Sequence, residues 1–158
     1  PVGHLRRYWS PLIGEHQAIN GAVALAALHL ARQGGLSLSG ELAAGGHIKA
    51  NWPGRFEIVT HEPVMLLDAA HNHASARCLR DALLEVFPDV SGRALVYGAS
   101  ADKDVEGMFA ALLPVIDHLF LAKAVHPRAT SPAVLAALRK PFWAPSSWPR
   151  ASVISTQV

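Results

Sequence analysis

The feature that most restricts the fold is a short run, residues 64–73. Val64-Met65-Leu66-Leu67 leads straight into Asp68, then Ala69, Ala70, His71, Asn72 and His73. Four consecutive apolar residues read as a buried strand, and the apolar spacing that follows is helical. The same grammar recurs twice downstream. A strand over 94–98 ends in Ser100-Ala101-Asp102-Lys103-Asp104 before a helix over 105–113. A strand over 118–122 ends in Lys123 to Arg128 before a helix over 132–138, with Thr130 or Ser131 as its cap and Pro132 in its first turn. Strand, helix, strand, helix, strand, helix predicts an α/β domain with a parallel sheet and right-handed crossovers. The three polar strand ends are then expected along one edge of that sheet, where open α/β sheets hold ligands.

The chain ahead of this alternation is helical. Ile19, Ala22, Val23, Ala26 and Leu30 fall at helical spacing and the opposite face is also apolar, which predicts a buried helix stopped by Gly34-Gly35. Asn20, on its first turn, needs a partner. A capping or local backbone bond is the commoner use of such an asparagine, and contact with a ligand across the helix start is the other. Residues 39–49 read as a second helix with Ser39 as N-cap. The turn Trp52-Pro53-Gly54-Arg55 marks a domain boundary, giving residues 1–51 and 52–158, and leads into a strand over 56–60. After Lys140 the prolines and tryptophans stop any helix, and only residues 151–156 suit a strand. A sheet of three such strands is small, so further strands are expected beyond Val158.

Composition narrows the function. With 51% hydrophobic and 16% charged residues the chain can bury a core, and a net charge of +2 from 14 basic and 12 acidic residues does not mark a nucleic-acid surface. The single cysteine, Cys78, sits on a helical pattern as a small core residue, which precludes an internal disulfide framework and suits a reducing compartment. No signal peptide is apparent at the start. The longest apolar run is shorter than the ~20 residues a bilayer requires, so a cytoplasmic protein without membrane contact is expected.

Four chemistries compete at the strand ends. The nine histidines include no H-x-x-x-H pair, and there is no C-x-x-C, so no metal site is expected from these residues. No G-x-S-x-G elbow accompanies Ser100, and no G-x-G-x-x-G follows a strand. A nucleotide or anionic substrate held at strand ends and helix starts suits Asp, His, Asn, Lys and Arg best. Each residue also has a plainer use. Asp68 could cap a helix, His71 could be structural and Arg55 could be a surface residue of its turn. Lys103 needs a reason to sit at a helix start, because a cation there opposes the helix dipole.

Leu67-Asp68-Ala69-Ala70-His71-Asn72 resembles the D-G-A-H-N-P signature of folylpolyglutamate and dihydrofolate synthases, members of the Mur ligase superfamily. In the same order, Gly14-Glu15-His16-Gln17 with Asn20 resembles that family's G-x-H-Q-x-x-N segment, and Trp52-Pro53-Gly54-Arg55 its W-P-G-R turn. Asp102-Lys103-Asp104 resembles its D-K-D loop and Pro127-Arg128-Ala129 its P-R-A segment. The resemblance implies a Rossmann-like, mainly parallel C-terminal domain preceded by helices from the end of a central ATPase domain. It implies an ATP-dependent amide ligase that joins L-glutamate to the γ-carboxylate of a folate through an acyl phosphate. Asn20, Arg55 and Asp68 would contact ATP. His71 would act at the incoming glutamate or the phosphates as the catalytic candidate, and Asn72, Asp102 and Lys103 would line the substrate side.

Ala69 stands where the family has glycine, which requires a negative φ there, and His73 stands where it has proline. The family's phosphate loop, Mg²⁺ ligands and carbamylated lysine have no counterpart here and are expected in an amino-terminal ATPase portion, the complete enzyme being monomeric. This chain alone is then expected to be inactive. The alternatives are a Mur-type ligase acting on a peptidoglycan precursor and a non-catalytic remnant or interaction module.

Overall fold

A computed structural model describes residues 8–139, 142 and 152–153. The chain forms two compact units that divide between Ala69 and Ala70.

The first unit holds α1 (Glu15–Gln33), α2 (Gly40–Ile48) and a hairpin of β1 (Glu57–His61) and β2 (Val64–Leu67). α1 begins at Gly14 (φ 103°) without a side-chain cap, carries Glu15 in its first turn and Arg32 in its last, and ends at Gly34. These charges sit at the ends of the helix dipole that favour them. α2 has the expected cap, with Ser39 Oγ accepting from the Leu42 amide at 3.1 Å. The two helices pack against each other. Their close approach is at Gly21, one of only two buried residues of α1, where an added Cβ would overlap the His47 ring.

α1 was expected to be buried, and it is not. Ile19, Val23 and Leu30 are about 60% exposed. Apolar residues all around a helix signal a need for cover on every side, but within the described residues of its unit α2 covers one strip only.

The strand over 64–67 also departs from expectation. β2 pairs antiparallel with β1, Glu57 opposite Leu67 and His61 opposite Val64, with a bulge between Ile58 and Thr60. Val64, Met65 and Leu67 stay half exposed. An apolar run of four does not distinguish a buried parallel strand from one arm of a hairpin. The three-residue spacing at His61-Glu62-Pro63 was the cue to the hairpin, since parallel neighbours need a far longer crossover.

The second unit is the predicted alternation. α3 (His73–Val86), β3 (Ala94–Tyr97), α4 (Val105–Leu112), a 3₁₀ turn (Leu113–Val115), β4 (His118–Leu121), α5 (Pro132–Leu138) and β5 (Ser152–Val153) follow in order. The three strands form a parallel sheet in the order β3-β4-β5. Ala94 lies opposite His118, Tyr97 opposite Leu121, and Phe120 and Leu121 opposite Ser152 and Val153. The strand expected within 151–156 is therefore present as β5. The Trp/Pro stretch from 143 to 149 lies outside the described residues.

The core is apolar and continuous. Phe109, Leu119, Leu121 and Leu135 are fully enclosed, and Tyr97 packs against Phe109 with ring centres 4.8 Å apart and planes tilted by 49°. α3 presents Ala76, Leu79 and Ala82 inward and packs chiefly against α4. Cys78 on the same helix is half-buried. Among the described residues no helix is long and apolar enough to cross a membrane.

Candidate functional site

In the first unit the site is built on one turn. Trp52-Pro53-Gly54-Arg55 closes with the Arg55 amide donating to the Trp52 carbonyl at 3.2 Å. Proline second and glycine third at φ 71° is the arrangement a type II turn requires. The chain then does something costly. Phe56 takes φ 49°, the only positive φ among the described non-glycine residues, a conformation that costs a bulky side chain roughly 1–2 kcal/mol. Three contacts hold it. The Phe56 amide donates to Asp68 Oδ2 at 2.9 Å, the Gly54 amide donates to Glu57 Oε2 at 2.7 Å, and the Ala69 amide donates to the Gly54 carbonyl at 2.8 Å. The Phe56 ring is buried as an anchor. The Asp68 carboxylate thus grips the turn that carries Arg55. Ala69 keeps the negative φ that its side chain demands.

Arg55 faces a cavity of about 420 Å³ that is also lined by His16, Asn20, His47 and Trp52. Residues 20 and 55, picked from separate motifs, thus meet at one wall. The Asn20 amide donates to the Gln17 side chain, at Oε1, at 3.3 Å, which is neither the cap nor the backbone bond expected of it, while the residue itself stays exposed at the cavity. Among the described residues the Arg55 guanidinium has neither an ion-pair nor a hydrogen-bond partner. A cation, two amides, two imidazoles and an indole suit a flat polar ligand with negative charge. Among the described residues no carboxylate lines the cavity, so these residues suit a nucleotide better than the divalent ion that accompanies one.

Sequence reading did not single out His16 and His47 as site residues. Gly21 was the available signal, since a glycine inside a helix marks the close approach of a neighbour.

In the second unit Asn72 is spoken for. It is the N-cap of α3, its Oδ1 accepting from the Ser75 amide at 2.8 Å, while Ser75 Oγ accepts from the Asn72 amide at 3.1 Å. The His71 amide also donates to Ser75 Oγ, at 3.0 Å, and the His71 residue is exposed.

The ends of β3 and β4 do converge. The Ala101 amide donates to the Arg128 carbonyl at 2.9 Å and the Thr130 amide to the Ala99 carbonyl at 2.8 Å, around a bridge between Ser100 and Ala129. This stitching sets Asp102 and Lys103 beside the loop of His126 and Arg128. Lys103 Nζ lies 3.2 Å from Asp102 Oδ2, which supplies the reason that its position required. The helix start itself belongs to Asp104, which accepts from the Gly107 amide at 2.9 Å. The Lys103 hydrogen bond, with backbone bonding and the charges of Lys103 and Arg128 behind it, holds the Asp102 carboxyl below the usual range despite slight desolvation. Two of the three polar strand ends thus share an edge. The third, at β2, belongs to the other unit and another sheet.

Residues 54–156 match the family model of the Mur ligase glutamate ligase domain, and the chain belongs to that family. The fold agrees: the small parallel sheet with flanking helices is that of the domain. Within the family its relatives are folylpolyglutamate synthases. A probable bifunctional folylpolyglutamate synthase/dihydropteroate synthase of Halobacterium salinarum is 41% identical over 128 residues, 81% of this chain and 15% of that protein. The structure of Mycobacterium tuberculosis folylpolyglutamate synthase complexed with ADP superposes with a TM-score of 0.80 at 34% identity, covering 94% of this chain and 32% of that one. A bifunctional folylpolyglutamate synthase/dihydrofolate synthase with Mn, AMPPNP and L-glutamate bound gives a TM-score of 0.76 at 33% identity, over 96% of this chain and 33% of that one. The chain therefore spans a third or less of the length of these relatives.

Proposed function

We propose that residues 1–158 are the C-terminal part of an ATP-dependent ligase that adds L-glutamate to the γ-carboxylate of a folate. The observation that carries this reading is the cavity where Arg55 and Asn20 meet, with a guanidinium that no described residue pairs. Its support comes from the relatives, which are seen with ADP in one structure and with AMPPNP, Mn and L-glutamate in another. ATP, when bound, supplies the phosphoryl group that turns the folate carboxylate into an acyl phosphate open to an amine. The chain's own part is positioning and charge. Arg55 donates to a nucleotide oxygen, Asn20 offers an amide at the same wall, and Trp52 provides a ring face. Asp102 and Lys103, with His71 from its exposed position ahead of α3, serve the amino-acid substrate. Such a site works by orientation and electrostatics, and needs no nucleophile of its own.

The chain contains no G-x-x-x-x-G-K sequence. The phosphate loop and the Mg²⁺ ligands are accordingly assigned to an amino-terminal ATPase portion, and residues 1–158 alone should not turn over. The domain boundary we assign at Trp52 places α1 and α2 with that portion. The test is an assay of the full-length gene product with ATP, labelled L-glutamate and a reduced folate. Glutamate-dependent ATP hydrolysis with label transferred to the folate supports the reading. Transfer to a peptidoglycan precursor instead, or no transfer to either acceptor, overturns it.

A further inference from the structure

We propose that His47 is a further nucleotide-binding residue, one that hydrogen-bonds the base, and that Gly21 is the notch that seats it. This rests on the nucleotide reading of the cavity and deepens it by naming the part of the ligand that His47 meets. His47 lies outside every motif that carries the resemblance. It reaches the cavity from the last turn of α2.

Gly21 lies inside α1 and is buried there. Glycine is disfavoured against alanine in a helix interior, so its place needs a reason. The reason is on the neighbouring helix. A Cβ at residue 21 would overlap the His47 Cε1, with Nε2 at 2.9 Å and Nδ1 at 3.5 Å. The imidazole therefore rests against bare backbone, beside Asn20. Its ring is half-buried, yet the two nitrogens have no hydrogen-bond or ion-pair partner among the described residues. A neutral imidazole carries one donor and one acceptor. The edge of an adenine pairs a ring-nitrogen acceptor with an exocyclic-amine donor, so either ring nitrogen finds a complement there. Negative charge goes elsewhere in the cavity, to Arg55, the one guanidinium that lines it among the described residues. The uncharged, flat part of the ligand is then left to the wall that His47 and Asn20 share.

Affinities of the full-length gene product for ATP and for inorganic tripolyphosphate, a probe without a base, test this. His47→Leu keeps an apolar side chain against Gly21 and removes both nitrogens. It is expected to weaken ATP about 3- to 10-fold, the loss of one neutral hydrogen bond, and to leave tripolyphosphate within about twofold. Arg55→Ala is expected to weaken both. Gly21→Ala pushes the ring off its seat, so it should weaken ATP about as much as His47→Leu. In a His47→Ala background, where no ring is left to displace, it should add less than about twofold.

A His47→Leu protein that binds ATP as tightly as wild type, or that loses ATP and tripolyphosphate alike, overturns the role at the base. The nucleotide reading then stands on the loss in Arg55→Ala, and an Arg55→Ala protein with wild-type ATP affinity overturns both. A loss from Gly21→Ala that persists undiminished in the His47→Ala background overturns the seat. Should His47→Leu fail to fold, His47→Ala carries the same comparison of the two probes, with the same outcomes for and against.

Discussion

Asn72 and Arg55 show how far a single residue can be read before the chain is folded. Both stand in motifs that single them out. Asn72 spends its side chain on the first turn of α3, so its replacement should be felt as lost stability before it is felt as lost binding. Asn72→Ala is expected to cost about 1 kcal/mol, seen as a lower unfolding midpoint, and Asn72→Asp or Asn72→Ser should restore most of it. Arg55 is the opposite case, a cation whose guanidinium no described residue pairs. Its place was legible because Pro-Gly dictates the turn. What the turn faces was not, because the cavity depends on His47 reaching Gly21 from another helix. Sequence spacing carries no record of that contact. Nor does it carry the left-handed Phe56, since nothing in its residue type asks for φ 49°.

At the scale of the element, the alternation from β3 to α5 was legible almost to the residue, because capping residues and strand-end polar clusters mark each boundary. Ser39, the predicted cap of α2, and Ser131, one of the two candidates for α5, both accept from an amide three residues on. The failures were failures of partnership. β2 and α1 form where their patterns say, yet the partners that an apolar surface will find are a tertiary property, and periodicity does not encode them.

The core of the second unit supports two predictions. Leu135 and Leu121 are fully enclosed, and Leu→Ala at either should cost about 2–5 kcal/mol in denaturant unfolding. β3 also carries a pH-sensitive group. Burial, helped by the Asp104 carboxylate, pushes the Tyr97 phenol from 10.0 up to about 12. The folded state therefore holds this proton more tightly than the unfolded chain does. Its contribution is intact below pH 10 and is lost as pH rises from 10 towards 12. The urea midpoint should fall through that window, and Tyr97→Phe should fall less steeply.

For the molecule as a whole, the chain is a Mur ligase glutamate ligase domain with two helices ahead of it. Each of its two units holds a set of polar residues, one on the Arg55 turn and one where the ends of β3 and β4 are stitched together. Neither set contains a nucleophile with its base. Positioning is what these groups can supply, and the account assigns the nucleotide to the first set and the amino acid to the second. This division predicts separable kinetics in the full-length gene product. Lys103→Ala should raise KM for L-glutamate and leave KM for ATP near its wild-type value. The most direct test is the KM for ATP of Arg55→Ala during glutamate addition to a folate. The account predicts a rise of about tenfold or more with KM for L-glutamate little changed. A wild-type KM for ATP in that variant would contradict it.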